Sequence, residues 1–478
     1  MTINGIENVL SRVGIQKSRP IYNQIFATFA PCLLFISAGM TFGITGVLLP
    51  KLQEDPDFPY DRSYDSWIAS ISPLAMMLGC LFAGAMSDGL GRKMGQLALV
   101  PFFVLGWCIM GFAKDITLML VGRFITGLCT GSIRPNGMVY IGEVTQPEYR
   151  SITLFCPTLA VHIGALISHI VGNYFYWRTS CFIFGLPNIL CFLILLFLKE
   201  SPLWLITKGK TDEGIEAFRL FRGEGEAADK ELASVLEKQK EKPVKMTFSE
   251  FIHIIFSKGF MKALVTVFLL FSAMQLCGVN MISFYAQDVF KKTFSGEIDP
   301  FMLMIVTDCI RVAAAAGVCV FAKFCPRKLT FLTCCFLTTT VLFALVIYLY
   351  LQPSGLTWLA LLLMVAYVVI ASAITSLSWS FVAEIFPGSV RGFGSGLSSG
   401  ISFILLFVAV KITPGVMTNY GDIVMYGGFA TVTLIASVFL CFILPETNGK
   451  TLQDIENSLY KKKNQNESNA HQMQNVTV

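Results

Sequence analysis

The chain has 478 residues, of which 54% are hydrophobic and only 14% charged, with a formal net charge of +5. A soluble chain of this length is roughly three domains, with about 25% charged residues to coat them. The apolar residues here fall in runs, and a helix crossing about 30 Å of hydrocarbon needs about 20 of them, so twelve crossings take about 240. This arithmetic excludes a soluble enzyme, a disordered chain and a nucleic-acid-binding domain.

The N-terminal stretch from Met1 to Pro20 carries Arg12, Lys17 and Arg19 without an apolar core, so it is not read as a cleavable signal. Apolar runs set against breakers then predict membrane spans over 24–49, 66–87, 95–113, 117–142, 152–175 and 179–198. A long polar stretch follows, with short amphipathic helices expected at Thr211 to Phe221 and Glu226 to Lys240. A second set of spans is predicted over 260–289, 301–323, 329–351, 356–384, 394–417 and 423–444. The expected layout is an N-terminal six-helix half (1–198), a linker (199–258), a C-terminal six-helix half (259–452) and a disordered tail (453–478).

Basic residues crowd one set of loops, at Arg92, Lys93, Arg150, Lys323, Arg327, Lys328 and Arg391. The first loop on the other side is acidic, with Glu54, Asp55, Asp57, Asp61 and Asp65. Positive charge marks the cytoplasmic side, which places both termini and the linker there. The sequons at Asn466 and Asn475 then fall in a cytoplasmic tail and stay unused.

The basic loops repeat. Asp88-Gly-Leu-Gly-Arg-Lys93 after the second span answers to Pro326-Arg-Lys328 after the eighth. Glu143 followed by Arg150 answers to Glu384 followed by Arg391, and Glu200-Ser-Pro202 to Pro445-Glu-Thr447. Two six-helix halves with a site at their midplane interface are a transporter architecture. The ionisable groups at these helix ends, Asp88, Arg92, Arg123, Glu143, Arg150, Glu200, Glu384, Arg391 and Glu446, are candidates for a gate that pairs across the halves and separates as they rock. Anchoring of the cytoplasmic side and helix capping is the alternative reading of the same groups.

Cysteines number fourteen, nearly all inside apolar runs and with no CxxC pair, so they read as small hydrophobes. No carboxylate pair or metal-ligand spacing appears. Gly396-Leu-Ser398-Ser-Gly400 has the nucleophile-elbow pattern, but it opens an apolar helix and lacks acid and histidine partners. No enzyme, cofactor or metal is expected.

The motifs GAMSDGLGRK (84–93), VGRFITG (121–127), YIGEVTQPEYR (140–150), ESPLWL (200–205), QLCGVN (275–280), AEIFPGSVRGFGSG (383–396) and PETNGKTL (445–452) span nearly the whole chain. In that order they resemble the sugar porter family of the major facilitator superfamily. SWIASISPLAMMLGCLFAG (66–84) with Pro157-Thr158 is most similar to its insect trehalose and glucose facilitator branch. The resemblance implies an all-α membrane protein, twelve helices in two pseudo-symmetric halves, in the plasma membrane, with a small-molecule solute and the bilayer as its partners.

It also implies site residues. Gln275 and Asn280 match amides that bind sugar hydroxyls, Phe284 and Tyr285 match an aromatic pair of the outer gate, and Trp379 matches the tenth-helix tryptophan beside the sugar. The chain departs from the family where Thr158, Met274 and Ser402 stand in place of amides and Arg311 in place of an eighth-helix Asn or Gln. Arg134 adds a second arginine at membrane depth. An arginine there needs a partner or a water-filled cavity. Asp308, three residues before Arg311, is expected to pair with it along one helix face. The alternative is a positive cavity for an organic anion. A third possibility, a non-transporting nutrient sensor, is disfavoured by the short tail. Proton-coupled sugar porters carry an aspartate in an FGYD motif, whereas Phe42-Gly-Ile-Thr45 lacks it, so facilitated diffusion is expected. His162 and His169 are, besides Asp308, the other titrating groups at that depth.

Overall fold

The computed structural model describes residues 20–240, 248–294, 299–321, 326–353, 356–386 and 390–446. The tail at 453–478, most of the PETNGKTL motif and the basic N-terminus lie outside the described residues.

Among the described residues, twelve helices are long and apolar enough to cross a membrane. In the first half they are α1 (Pro20–Glu54), α2 (Asp65–Leu90), α3 (Arg92–Gly111), α4 (Ile116–Val144), α6 (Cys156–Tyr174) and α7 (Trp177–Phe197). The short α5 (Pro147–Thr153) lies between α4 and α6. Then come α8 (Pro202–Thr207), α9 (Thr211–Arg222), α10 (Glu226–Lys240) and α11 (Phe248–Ile255). The second half is α12 (Lys258–Gln275), α13 (Val279–Thr293), α14 (Pro300–Phe321), α15 (Arg327–Leu351), α16 (Thr357–Ile385), α17 (Arg391–Asn419) and α18 (Gly421–Ile443).

The predicted seventh span is two helices. Gly278, at φ +89°, breaks the chain between α12 and α13, and Tyr285 interrupts α13 at φ −132° and ψ 29°. A break at membrane depth survives only where its backbone polar groups find partners. Tyr367 donates to the Cys277 carbonyl at 2.8 Å, and Arg311 donates to the carbonyl of Val279.

Glycines set the packing of the first half. A Cβ on Gly39 would lie 2.0 Å from the Val161 carbonyl oxygen, and one on Gly164 would lie 2.0 Å from that of Ile36, so α1 and α6 touch backbone to backbone. Gly131 meets the Met76 carbonyl in the same way, joining α2 and α4. Small residues that let backbones approach are the membrane substitute for a hydrophobic driving force. The outward faces carry Phe82, Phe102, Leu186, Tyr350 and Phe442, all strongly exposed, as lipid contact requires. The halves meet where α2 packs on α17, α6 on α14 and α1 on α13.

With an even number of crossings, Pro20 and Ile443 lie at the same face, called here the terminal face. There α9 is fastened to the first half. Gln24 Nε2 donates to the Phe221 carbonyl at 2.7 Å, and Gln146 Nε2 donates to that of Arg222 at 3.1 Å.

Candidate functional site

A cavity of roughly 800 Å³, counted out to its mouth, lies between the halves. From the first half it is lined by α1 (Phe35, Phe42), α4 (Arg134, Met138) and α6 (Pro157, Thr158, His162). From the second half come Gln275, Asn280, Ser283, Arg311, Thr375 and Trp379. Pro157 and Thr158 are in the first turn of α6, so the cavity reaches from the helix centres toward the terminal face.

The helix break places the amides. Asn280 Nδ2 donates to Gln275 Oε1 at 2.7 Å, and Gln275 Nε2 donates to Ser402 Oγ at 2.9 Å. Trp379 packs against Phe271 at 4.7 Å between ring centroids. The Arg134 guanidinium lies 3.5 Å from the centroid of its indole. This cation–π contact joins the halves across the cavity, and spacing along the chain gave no sign of it.

Arg311 is 4% exposed. It donates to Ser283 Oγ and to the Val279 carbonyl, and its Nε has no acceptor among the described residues. The expected Asp308–Arg311 bond is therefore not the one formed. Asp308 instead receives His169 Nδ1 from α6, and both side chains are buried. A three-residue spacing allowed the local pair, but the approach of α6 to α14 supplied a nearer partner.

Gln275, Asn280, Trp379, Thr158 and Arg311 all reach the cavity, and Tyr285 does not. It is 4% exposed, and its hydroxyl donates to the Val410 carbonyl at 2.9 Å. On the side away from the terminal face the halves close over the cavity. Phe42 and Phe284 meet edge to face at 6.0 Å, and Tyr174 meets Phe301 at 5.9 Å. Lys411 donates to Ser66 Oγ at 2.9 Å while lying 3.6 Å from the centroid of Trp67. His169 with Asp308 belongs to the same closed layer.

At the terminal face, the described gate groups cluster within each half. Arg92 grips Glu143 through Nε at 3.0 Å and Nη2 at 3.1 Å, and reaches Asp88 through Nη1 at 3.1 Å. Glu200 accepts from the backbone N–H of Arg92 at 3.0 Å and of Lys93 at 2.9 Å, placing a carboxylate on the N-terminus of α3. Gly91, at φ +107°, leaves room for it, since a Cβ there would lie 2.5 Å from Glu200 Oε2. The second half repeats the device, with Glu446 accepting from the backbone N–H of Lys328 at 3.2 Å. Lys93 Nζ donates to the Leu198 carbonyl and Lys328 Nζ to that of Cys441, a further matched pair. Arg150 sits at the short α5 with Nε lacking an acceptor among the described residues. The side chains of Glu384 and Arg391 lie outside the described residues.

Arg123 stands apart from this cluster. It is fully buried in the far half of α4, where it donates to the carbonyls of Ile68 at 3.0 Å and Thr41 at 2.8 Å and to Thr45 Oγ1 at 2.7 Å. Thr45 ends the segment that an aspartate closes in FGYD, so this guanidinium is held by neutral oxygens.

A family model described as "Sugar (and other) transporter" matches residues 25–459. The facilitated trehalose transporter Tret1 of Polypedilum vanderplanki is 28% identical over 92% of this chain and 88% of its own length. Tret1 of Bombyx mori is 26% identical over 92% and 87%. Among solved structures, the proton:xylose symporter XylE bound to 6-bromo-6-deoxy-D-glucose superposes with a TM-score of 0.77, at 18% identity, over 93% of this chain and all of that one. The inward open xylose transporter XylE from E. coli gives 0.75, also at 18% identity. These two establish the major facilitator fold.

Proposed function

Because the chain belongs to the sugar (and other) transporter family, we propose that it is a facilitative sugar carrier working by alternating access, with the inter-half cavity as the solute site. The observation that carries this reading is the convergence of Gln275, Asn280, Thr158 and Trp379, from both halves, on one cavity. Amides and hydroxyls offer both donors and acceptors, as a polyol requires. The cavity opens toward the terminal face and is closed opposite, one of the two end states of rocking. Positive-inside charge supports assigning the terminal face to the cytoplasm and the protein to the plasma membrane. Terminal-face groups such as Arg92 and Glu143, now paired within a half, are proposed to re-pair across the halves when the cavity closes there.

Uniport is favoured over proton symport because Arg123 faces Thr45 rather than a carboxylate. The facilitated transport named for the insect relatives fits this. The test is uptake of a panel of labelled monosaccharides and disaccharides, neutral and acidic, into proteoliposomes holding the full chain. At least one sugar should equilibrate across the membrane, with no accumulation under an imposed pH gradient. Accumulation driven by that gradient would overturn uniport.

A further inference from the structure

Two cationic side chains line the cavity, Arg134 and Arg311, and among the described residues no carboxylate does. Asp308, one turn from Arg311, does not line the cavity and accepts from His169. We infer that the transported solute carries an anionic group, a carboxylate or a phosphate, on its sugar body, with Arg134 and Arg311 holding that group. This inference rests on the sugar-carrier reading and names the class of sugar.

A guanidinium has five N–H donors and no acceptor. Arg311 spends two nitrogens on Ser283 and Val279, and its buried Nε has no acceptor among the described residues. Arg134 lies against Trp379 without a hydrogen bond or ion pair to any described residue. Arg134 is half-buried and faces the open cavity, where water supplies acceptors; a solute that expels this water must supply them instead. Carboxylates and phosphates do so bidentately, in the geometry of the guanidinium fork. The hydroxyls of a neutral sugar also accept, but without the charge that makes a guanidinium–carboxylate or guanidinium–phosphate bond roughly twice as strong. Such a sugar also meets a cation on one face of the indole, because Arg134 covers that face at 3.5 Å. Gln275, Asn280 and Thr158 remain to read the hydroxyls of the sugar body.

The test compares uptake of labelled glucose, glucuronate and glucose 6-phosphate by the full chain in proteoliposomes, each competed by the other two. One of the two acids should enter with a KM at least tenfold below that of glucose, and which one it is separates a carboxylate from a phosphate ligand. Arg134→Gln should cut the acid-to-glucose preference tenfold or more, while Arg134→Lys retains part of it. Arg134 is the better variant because Arg311 also seals the helix break, and Arg311→Gln risks misfolding. Glucose uptake that neither acid inhibits would overturn the inference and leave the sugar carrier standing. So would a preference unmoved by Arg134→Gln. Failure of every sugar, neutral or acidic, to enter would overturn both.

Discussion

Asp55 shows how one residue changes meaning between sequence and structure. In the sequence it is one acid among five in the stretch between the first two spans. In the fold it is buried, and it accepts from the Tyr176 hydroxyl and the Trp177 indole N–H, both at 2.6 Å. These donors, Tyr176 foremost, hold its carboxyl below the usual carboxylate range. A lowered folded pKa contributes stability above the unfolded value, about 4, and loses it as the pH falls through the folded value. Trp177 fluorescence should therefore be constant near neutral pH and change in acid below about pH 4. Asp55→Asn should remove that acid transition. A variant that kept the transition would assign it to another group.

Among elements, glycine spacing was visible in the sequence, but its purpose was not. Glycines occur in both halves, yet only some carry a helix contact. A Cβ on Gly131 would lie 2.0 Å from the Met76 carbonyl oxygen, whereas the nearest atom to a Cβ on Gly427 is a Val346 methyl at 4.0 Å. Overpacking typically costs about 1–3 kcal/mol, and a backbone carbonyl yields less readily than a side chain. Gly131→Val should cost at least about 3 kcal/mol and lower the unfolding temperature in detergent by several degrees. Gly427→Ala should leave that temperature level or raise it, since alanine favours a helix by about 1 kcal/mol. Equal shifts in the two variants would refute the contact-based account. The helix break is the same kind of case. Gly278 and the amides flagged an irregular seventh span, but not that Tyr367 and Arg311 would seal its carbonyls.

Across the whole molecule, the far closure among the described residues is built from a few contacts between the halves, and His169–Asp308 is the buried ionisable one of these. Removing one partner of a buried pair costs about 3–5 kcal/mol, and each 1.4 kcal/mol is tenfold in an equilibrium. Asp308→Asn should thus shift the population at least tenfold toward a state open on the far side. Spin labels at Asp57 and Asp299, on opposite halves of that face, should report a longer distance. An unchanged distribution would mean that the aromatic contacts hold the closure alone.

The sequence by itself determined the twelve spans, the two halves and the family, because hydrocarbon thickness and loop motifs act locally along the chain. It also named Gln275, Asn280, Thr158, Trp379 and Arg311, all of which reach the cavity. Partners were decided only by the tertiary structure. Arg134 stacks on Trp379 across the halves, Asp308 turns to His169, Tyr285 seals itself to Val410, and Arg123 leaves the gate for Thr45. Each of these pairings joins segments far apart in the chain, and helix packing, not spacing, sets which polar groups meet where water is absent.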